Sequence, residues 1–273
     1  MKLALRGTLV LLGAGKMGGA MLEGWLKGGV DPKRIAVFDP SPPPEAKALI
    51  ETHKLRWNQP VSSIGDAEVI LIALKPQGMA DVLPGFVPLG VSKPLVISVV
   101  AGKTIGSFER HFGANAAIIR TIPNTPSAIG RGITAMAANG RVSPAQLQLA
   151  RALLSAIGEV VTVGDEAMID AATAVSGSGP AYVFYLTECL AAAGEKAGLP
   201  AGLAAQLARA TVAGAGELMR LSNEPPAILR RNVTSPNGTT HAALQILMAE
   251  NGMQPLFDRA IAAATQRSRE LAS

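Results

Sequence analysis

A glycine-rich turn near the N-terminus constrains the fold of this chain more than any other feature of the sequence. Leu9 to Leu12 is a short apolar run typical of a buried strand, and it leads into Gly13-x-Gly15-x-x-Gly18 and then into an apolar-periodic helix. Gly13 would permit a tight turn, Gly15 the approach of a pyrophosphate to backbone amides, and Gly18 close contact between helix and strand. The sequence therefore predicts a dinucleotide-binding fold at the start of the chain.

An acidic residue follows the second predicted strand, at the position where dinucleotide-binding folds distinguish NAD(H) from NADP(H). Asp39 lies about 20 residues beyond the glycine turn, where a carboxylate binds the adenosine ribose diol and repels a 2′-phosphate. Ser41 can hydrogen-bond a phosphate, but the segment Pro40 to Pro44 offers no Arg or Lys. We therefore expect NADH or NADPH as cofactor, with NADH favoured by Asp39. The alternative is that Asp39 only caps a turn before Pro40.

The first half of the chain alternates short β-branched runs with helical patterns, which predicts a parallel sheet flanked by helices. Strands are predicted at Leu9 to Leu12, Arg34 to Phe38, Glu68 to Leu74, Leu95 to Val99, Ala117 to Ile119, Ile133 to Met136 and Val160 to Val163, with a helix from Pro144 to Ala156. From Asp165 onward the strand pattern gives way to Ala-rich helical segments. We predict an α/β Rossmann-type nucleotide domain over residues 1–164, followed by an all-α helical dimerisation domain over residues 165–273.

Residues after three further strands are expected to contact the cofactor, because ligands bind at the carboxyl edge of a parallel sheet. Lys75 is either a direct contact or a solvated lysine, and Asn124 either borders the nicotinamide or forms an Asx turn. The predicted cofactor site comprises Gly13, Ala14, Gly15, Lys16, Met17, Gly18, Asp39, Ser41, Ala73, Leu74, Lys75, Pro76, Val99, Val100, Ala101 and Asn124.

Composition limits the remaining possibilities. Hydrophobic residues make up 48% of the chain and charged residues 16%, which is more apolar surface than a monomer readily hides and favours an obligate oligomer. The net charge is +5, but the basic residues are scattered and aromatics are only 4%, so nucleic acid is not an expected partner. The one cysteine, Cys189, excludes an internal disulfide, and no metal site is expected.

Two apolar segments are compared with the patterns of targeting and membrane-spanning sequences. Met1 to Gly7 has charges among its apolar residues, so a signal peptide is not expected. The stretch from Ala171 to Ala193 is interrupted by Ser176 to Pro180 and contains Glu188, which favours a buried helix of a soluble protein over a membrane span. We expect a cytoplasmic protein.

The segment Thr234 to Thr240 predicts a helix start that can hold an anion. Its hydroxyl and amide side chains are preferred where helix N-terminal amides need acceptors, and the same amides bind a carboxylate well. On its own, an ordinary capped turn is the alternative.

The chain resembles the pyrroline-5-carboxylate reductase family over nearly its whole length. Four features carry the resemblance: the glycine turn, Lys75-Pro76, Arg120 to Pro126, and the pair Val175 to Tyr182 with Thr234 to Thr240. The last pair is the most specific, since many dehydrogenases share the glycine turn. The resemblance implies reduction of 1-pyrroline-5-carboxylate to L-proline with hydride from NAD(P)H, by intertwined dimers that often assemble into decamers.

The resemblance also implies where the substrate binds. Amides or a hydroxyl of Asn237, Gly238 and Thr239 would hold the substrate carboxylate, with Ser235 and Asn232 bordering it. Glu166 matches a family position near the ring nitrogen; the alternative is a helix-start carboxylate that favours the helix dipole.

Thr240 is the predicted catalytic residue, since the resemblance implies that it faces the imine nitrogen. A protonated imine needs no strong acid, because hydride addition neutralises it. This agrees with a helical domain whose one histidine, His241, is expected at a surface or interface. Thr240 would hold or relay the imine proton.

The sequence leaves alternatives open both for the substrate and for the class of protein. Asn237 stands where Gly is common in the family and Thr239 where a small apolar residue is frequent, so pyrroline-2-carboxylate or a six-membered imine is a possible substrate. A β-hydroxyacid dehydrogenase would have Asn four residues after its catalytic Lys. Here the residue four positions after Lys196 is Pro200. A dinucleotide-sensing regulator would bind NADH without turnover.

Overall fold

The computed structural model describes residues 5–272. The chain divides into two compact units, Met1–Gly177 with Ala264–Ser273, and Ser178–Ala263. Met1 to Ala4 lie outside the described residues. They belong to the segment on which the expectation of no signal peptide rests. The domain boundary between residues 164 and 165 stays a prediction.

The first unit is built on an eight-stranded sheet with the order β3-β2-β1-β4-β5-β6-β7-β8. The strand order reverses at β1, so the glycine turn that follows β1 lies at a topological switch point, where ligands bind in open α/β sheets. The strands are β1 Thr8–Leu12, β2 Ile35–Phe38, β3 Arg56–Trp57, β4 Ala67–Ile72, β5 Leu95–Ser98, β6 Ala117–Ile122, β7 Gly132–Ala138 and β8 Gly158–Thr162.

Two features of this sheet differ from the sequence-based expectation. β7 runs antiparallel to β6, because the connection over residues 123–131 is too short for a parallel crossover. The edge strand β3 was not predicted, because two residues are too few to show an alternating pattern. The predicted strands correspond to observed ones with ends that differ by a few residues.

Helices cover the faces of the sheet and make up the rest of the chain. After β8 the described residues contain helices and no strand, which confirms the all-α second half. The helices are α1 Lys16–Lys27, α2 Pro44–Thr52, α3 Met79–Val82, α4 Ile105–Phe112, α5 Pro144–Leu154, α6 Met168–Ala172, α7 Gly179–Lys196, α8 Ala201–Leu221, α9 Pro226–Asn232, α10 Thr239–Leu247 and α11 Met253–Ala272. A π-helical segment, Thr173–Gly177, follows α6.

The core of the first unit lies on both faces of its sheet. Alternate residues of β1 belong to two separate buried clusters, Leu9 and Leu11 to one and Val10 and Leu12 to the other. This is the side-chain period of a strand covered on both sides, and it explains why β1 reads as one continuous apolar run. The glycine turn thereby follows a strand whose residues are all buried.

The helices of the second unit leave large apolar side chains uncovered. α7 has no residue buried within the described chain, which corrects the expectation of a buried helix. Phe184 is 61% exposed and Tyr185 67% exposed. Exposed apolar surface of this kind is found at sites that bind other proteins, membranes or ligands. Among residues 5–272, no helix has the length and apolar character needed to cross a membrane.

Candidate active site

The three glycines of the turn after β1 meet three different steric requirements. Gly13 has φ +89°, and a Cβ there would lie 2.7 Å from the Ala73 carbonyl oxygen. A Cβ on Gly18 would overlap the Gly13 carbonyl oxygen, whereas one on Gly15 would meet no atom within 4 Å. Space is therefore left open only above Gly15, where a pyrophosphate would approach the first turn of α1. These residues fit a dinucleotide.

Asp39 follows β2 and is hydrogen-bonded to the glycine turn. Its Oδ2 accepts from the backbone amide of Ala14 at 2.7 Å, and its Oδ1 accepts from the amide of Ser41 at 2.8 Å. The second bond forms the turn that the sequence offered as an alternative. The first holds the carboxylate beside the expected cofactor path, so capping and cofactor discrimination are compatible roles for Asp39.

Two residues that no pattern in the sequence indicated hold the backbone of Asp39. Asn58 accepts from the Asp39 amide at 2.9 Å and donates to the Asp39 carbonyl oxygen at 2.8 Å. The indole of Trp57 donates to the same carbonyl oxygen at 3.0 Å. Both partners lie at or just after the two-residue strand β3, which gives no periodic signal.

The other predicted cofactor residues lie at the carboxyl ends of strands. The amide of Ala73 donates to Leu12 O at 2.8 Å, directly beside the glycine turn, and the amide of Val99 donates to Ile72 O at 3.0 Å. Lys75 is exposed, whereas Val100 is buried. Segment 73–76 thus follows β4, which pairs with β1, and segment 99–101 follows β5, which pairs with β4.

Asn124 ties together three parts of the first unit. Its Nδ2 donates to the Ser176 carbonyl oxygen at 3.1 Å, and its Oδ1 accepts from the amide of Ile133 at 2.9 Å. The Asx-turn alternative is therefore wrong, because the acceptor bond reaches β7 and not the next turn. The side chain is 9% exposed and holds the π-helical segment against the end of β6. A cofactor contact by Asn124 stays a prediction.

Glu166 is half-buried and is linked to two buried charged residues, Arg120 and Asp170. Its Oε1 accepts from the amide of Ile105 at 2.8 Å and from Nη1 of Arg120 at 3.1 Å. Nη2 of Arg120 donates to Asp170 Oδ1 at 3.2 Å, which also accepts from the hydroxyl of Ser268 at 2.8 Å. The carboxylate thus lies at the N-terminus of α4, not of its own helix. The one signal for this network in the sequence is a charged residue, Arg120, inside the buried strand β6.

The start of α10 differs from the expected side-chain cap. Its N-cap residue is Gly238, and no side chain accepts a hydrogen bond from the first-turn amides. The Ser235 hydroxyl instead lies against Gly238, where a Cβ would overlap it. Asn237 has φ +58°, a conformation that Gly and Asn adopt more readily than other residues, which explains why Asn can stand where Gly is common. The amides are thus left available to an anion.

The remaining substrate residues lie next to this turn. Asn232 ends α9 and is exposed, as are Ser235 and Thr239, whereas Thr240 is half-buried in the first turn of α10. His241 Nε2 is 3.1 Å from Nε2 of Gln245, one helical turn away. Among residues 5–272, no group of three acidic, His or Cys side chains is placed to hold a metal ion.

Comparison with known proteins agrees with this geometry. A family model described as pyrroline-5-carboxylate reductase dimerisation matches residues 166–271, and one described as NADP oxidoreductase, coenzyme F420-dependent, matches residues 8–102. The chain is 40% identical over 264 residues to a pyrroline-5-carboxylate reductase of Pseudomonas aeruginosa, covering 97% of this chain and 96% of the relative.

Two solved structures are similar over almost their whole length. A pyrroline-5-carboxylate reductase from Coxiella burnetii matches with a TM-score of 0.91 and 33% identity, covering 98% of this chain and 100% of that one. A pyrroline carboxylate reductase from Plasmodium falciparum with NADP bound matches with a TM-score of 0.80 and 28% identity, covering 98% and 99%.

Proposed function

The chain belongs to the pyrroline-5-carboxylate reductase family and reduces 1-pyrroline-5-carboxylate to L-proline, the last step of proline biosynthesis, and we propose which of its residues bind each reactant. The observation that supports the proposal most directly is the pair of open backbone sites, one above Gly15 and one at the start of α10. Each is suited to an anionic group, a pyrophosphate or a carboxylate.

The cofactor is an NAD(P)H dinucleotide, and we propose that NADH is preferred. When bound, the nicotinamide supplies the hydride. Residues 13–18 would bind the pyrophosphate through backbone amides, and the segments 73–76 and 99–101 would line the strand ends. Asp39 would accept from the ribose hydroxyls and repel a 2′-phosphate, since its carboxylate is already held in place by Ala14 and Ser41.

The substrate carboxylate would bind at the start of α10. The amides there have no side-chain cap, and the positive end of the helix dipole favours an anion. Asn237, Gly238 and Thr239 would supply these donors, with Ser235 and Asn232 bordering the site. Binding of the carboxylate would compensate for the missing cap.

The imine nitrogen would be bound by Thr240, with Glu166 accepting an N–H hydrogen bond. The hydride forms a new C–H bond at the imine carbon, and the two π electrons of the C=N bond become the lone pair of the nitrogen. A protonated imine therefore becomes a neutral amine that keeps its proton. Thr240 therefore needs only to orient the nitrogen or relay a proton to it, which a hydroxyl can do. Reduction of the imine by this route does not require a general acid as strong as an imidazolium.

One assay plate tests the substrate and cofactor together. Pyrroline-5-carboxylate, pyrroline-2-carboxylate and the six-membered imine are each offered with NADH and with NADPH, and kcat/KM is measured for all six pairs. We expect the highest value for pyrroline-5-carboxylate with NADH. NADH binding without turnover of any imine would instead support a dinucleotide sensor, and a higher value with NADPH would contradict the role of Asp39.

We also propose that the exposed helices of the second unit form a homodimer, as the name of the matched dimerisation family suggests. The exposed side chains include Phe184, Tyr185 and Leu186 on α7. Sedimentation or light scattering at several protein concentrations would measure the oligomeric state. A stable monomer would contradict the proposal, and decamers would extend it. A cytoplasmic location, in keeping with a single cysteine, stays a prediction.

A further inference from the structure

The carboxylate of Glu166 is held on one side only. Both of its hydrogen bonds, from the Ile105 amide and from Arg120 Nη1, are made to Oε1. Within the described part of the chain, Oε2 has no hydrogen-bond partner. The side chain is 29% exposed, in contrast to 4% for Arg120. One oxygen is thus committed to the protein, while the other is available to accept a hydrogen bond.

The guanidinium of Arg120 bridges two acidic side chains that would otherwise repel each other. Glu166 lies two residues before α6 and Asp170 lies within it, and Arg120 donates a hydrogen bond to each, from Nη1 to Glu166 and from Nη2 to Asp170. A planar guanidinium matches two carboxylates at once, whereas an ammonium group presents a single charge. Because Arg120 is anchored at Asp170 as well, its orientation toward Glu166 does not depend on Glu166 alone.

The second donor comes from the start of a helix. Ile105 is the first residue of α4, and its cap is provided by Thr104, whose side chain accepts from Ser107. The Ile105 amide is therefore one of the N-terminal amides that need an acceptor, and Glu166 provides it. The carboxylate is thus held from two directions, by the start of α4 and by the guanidinium of Arg120.

We propose that Arg120 and the Ile105 amide are positioning groups that hold the Glu166 carboxylate oriented, with Oε2 free to accept a hydrogen bond from the N–H of the bound imine. The inference rests on the role proposed for Glu166. A carboxylate that is already ordered loses less conformational freedom when substrate binds. Loss of either donor should therefore weaken substrate binding and leave cofactor binding intact.

Four single variants of the full-length protein test this inference. Glu166→Gln removes the proposed acceptor charge. Arg120→Lys keeps the positive charge but loses the bridging geometry. Ile105→Pro removes the backbone donor, and it also replaces a side chain that is buried in the core, so its melting temperature is read beside its KM. The backbone can accept the change, because proline is favoured at the first position of a helix and Thr104, with ψ 161°, is in a conformation that can precede it. Ser268→Ala is the matched control, since Ser268 contacts Asp170 in the same network but not Glu166.

The readouts are the KM for imine, the KM for NADH and the melting temperature. We expect the imine KM to rise about tenfold in Glu166→Gln and Arg120→Lys and by a smaller factor in Ile105→Pro, the usual scale for a lost hydrogen bond to a charged group. The KM for NADH should change less than about twofold on the same scale. Ser268→Ala should lower the melting temperature and leave the imine KM unchanged.

A double variant separates positioning from a general loss of structure. If Arg120 acts through Glu166, Arg120→Lys should raise the imine KM in the native chain but add little to it in a Glu166→Gln background. Additive effects in the double variant would overturn the inference, as would an unchanged KM in both Arg120→Lys and Ile105→Pro. If Glu166→Gln itself leaves the KM unchanged, the proposed role of Glu166 fails and this inference fails with it. A native chain that does not reduce the imine would contradict the function itself.

Discussion

The carboxylate of Asp39 accepts a hydrogen bond from the backbone amide of Ala14 at 2.7 Å, which joins the end of β2 to the glycine turn after β1. The two residues are neighbours only because β1 and β2 pair in parallel and end at the same edge of the sheet. The residue proposed to discriminate between cofactors is thus hydrogen-bonded to the turn that would bind the pyrophosphate. Substitution of Asp39 should therefore affect both cofactor preference and the order of the turn.

Asp39→Asn should shift the cofactor preference toward NADPH. It removes the charge that repels a 2′-phosphate but retains an oxygen that can accept from Ala14 or Ser41. We expect the ratio of kcat/KM for NADPH to that for NADH to rise by about tenfold. Glu45→Gln is the control, because Glu45 lines the same cavity as Ala14 and Gly15 but no hydrogen bond joins it to the turn. If Glu45→Gln raised the ratio of kcat/KM for NADPH to that for NADH by the same factor, the preference would depend on net charge alone and not on Asp39.

Thr240→Ala should lower kcat with little change in the KM for NADH. The hydroxyl is proposed to orient the imine nitrogen, and loss of proton-transfer assistance costs up to about 10² in rate. Thr240→Ser, which restores a hydroxyl, should recover most of the activity. Steady-state kinetics on the purified variants measure both. An unchanged kcat in Thr240→Ala would remove Thr240 from the mechanism.

Asn237→Val should destabilise the turn before α10, whereas Asn237→Gly should not. The residue has φ +58°, and a β-branched side chain in this region costs about 1–2 kcal/mol. Because the turn orients the amides proposed to bind the carboxylate, the imine KM should rise in the valine variant. Urea denaturation and substrate kinetics are the measurements. Equal stability of the two variants would contradict the strained conformation.

Gly15→Ala and Gly18→Ala should separate cofactor binding from folding. Gly15 has φ −64° and open space around its Cα, so its alanine variant should fold normally but bind NADH more weakly, because the methyl group occupies the pyrophosphate path. In Gly18→Ala the Cβ overlaps the Gly13 carbonyl oxygen, and overpacking of this kind costs about 1–3 kcal/mol. Melting temperatures and NADH titration distinguish the two. A stable Gly18→Ala protein would contradict the close approach of α1 to β1.

Local patterns in the sequence were sufficient to predict the strands of the first unit and the helices of the second. Each of these signals lies within one short window: apolar runs, helical periodicity, glycine in a required turn and proline at a helix start. The edge strand β3, by contrast, is too short to carry such a signal, and with it the contacts of Trp57 and Asn58 to Asp39 escaped prediction. The direction of β7 escaped it as well, since the sequence was interpreted as a parallel alternation.

The sequence by itself determined the dinucleotide turn, the all-helical second half and, through the resemblance of its motifs, the family. Only the tertiary structure decided which groups meet: Asp170 and Ser268 are 98 residues apart in the chain, Glu166 and Ile105 are 61 apart, and no local pattern encodes either pair. It also replaced the expected side-chain cap at α10 with an uncapped start. The physical reason is that a strand or helix depends on neighbours within a few residues, whereas a buried charge is stable only where the whole fold brings its partners to it.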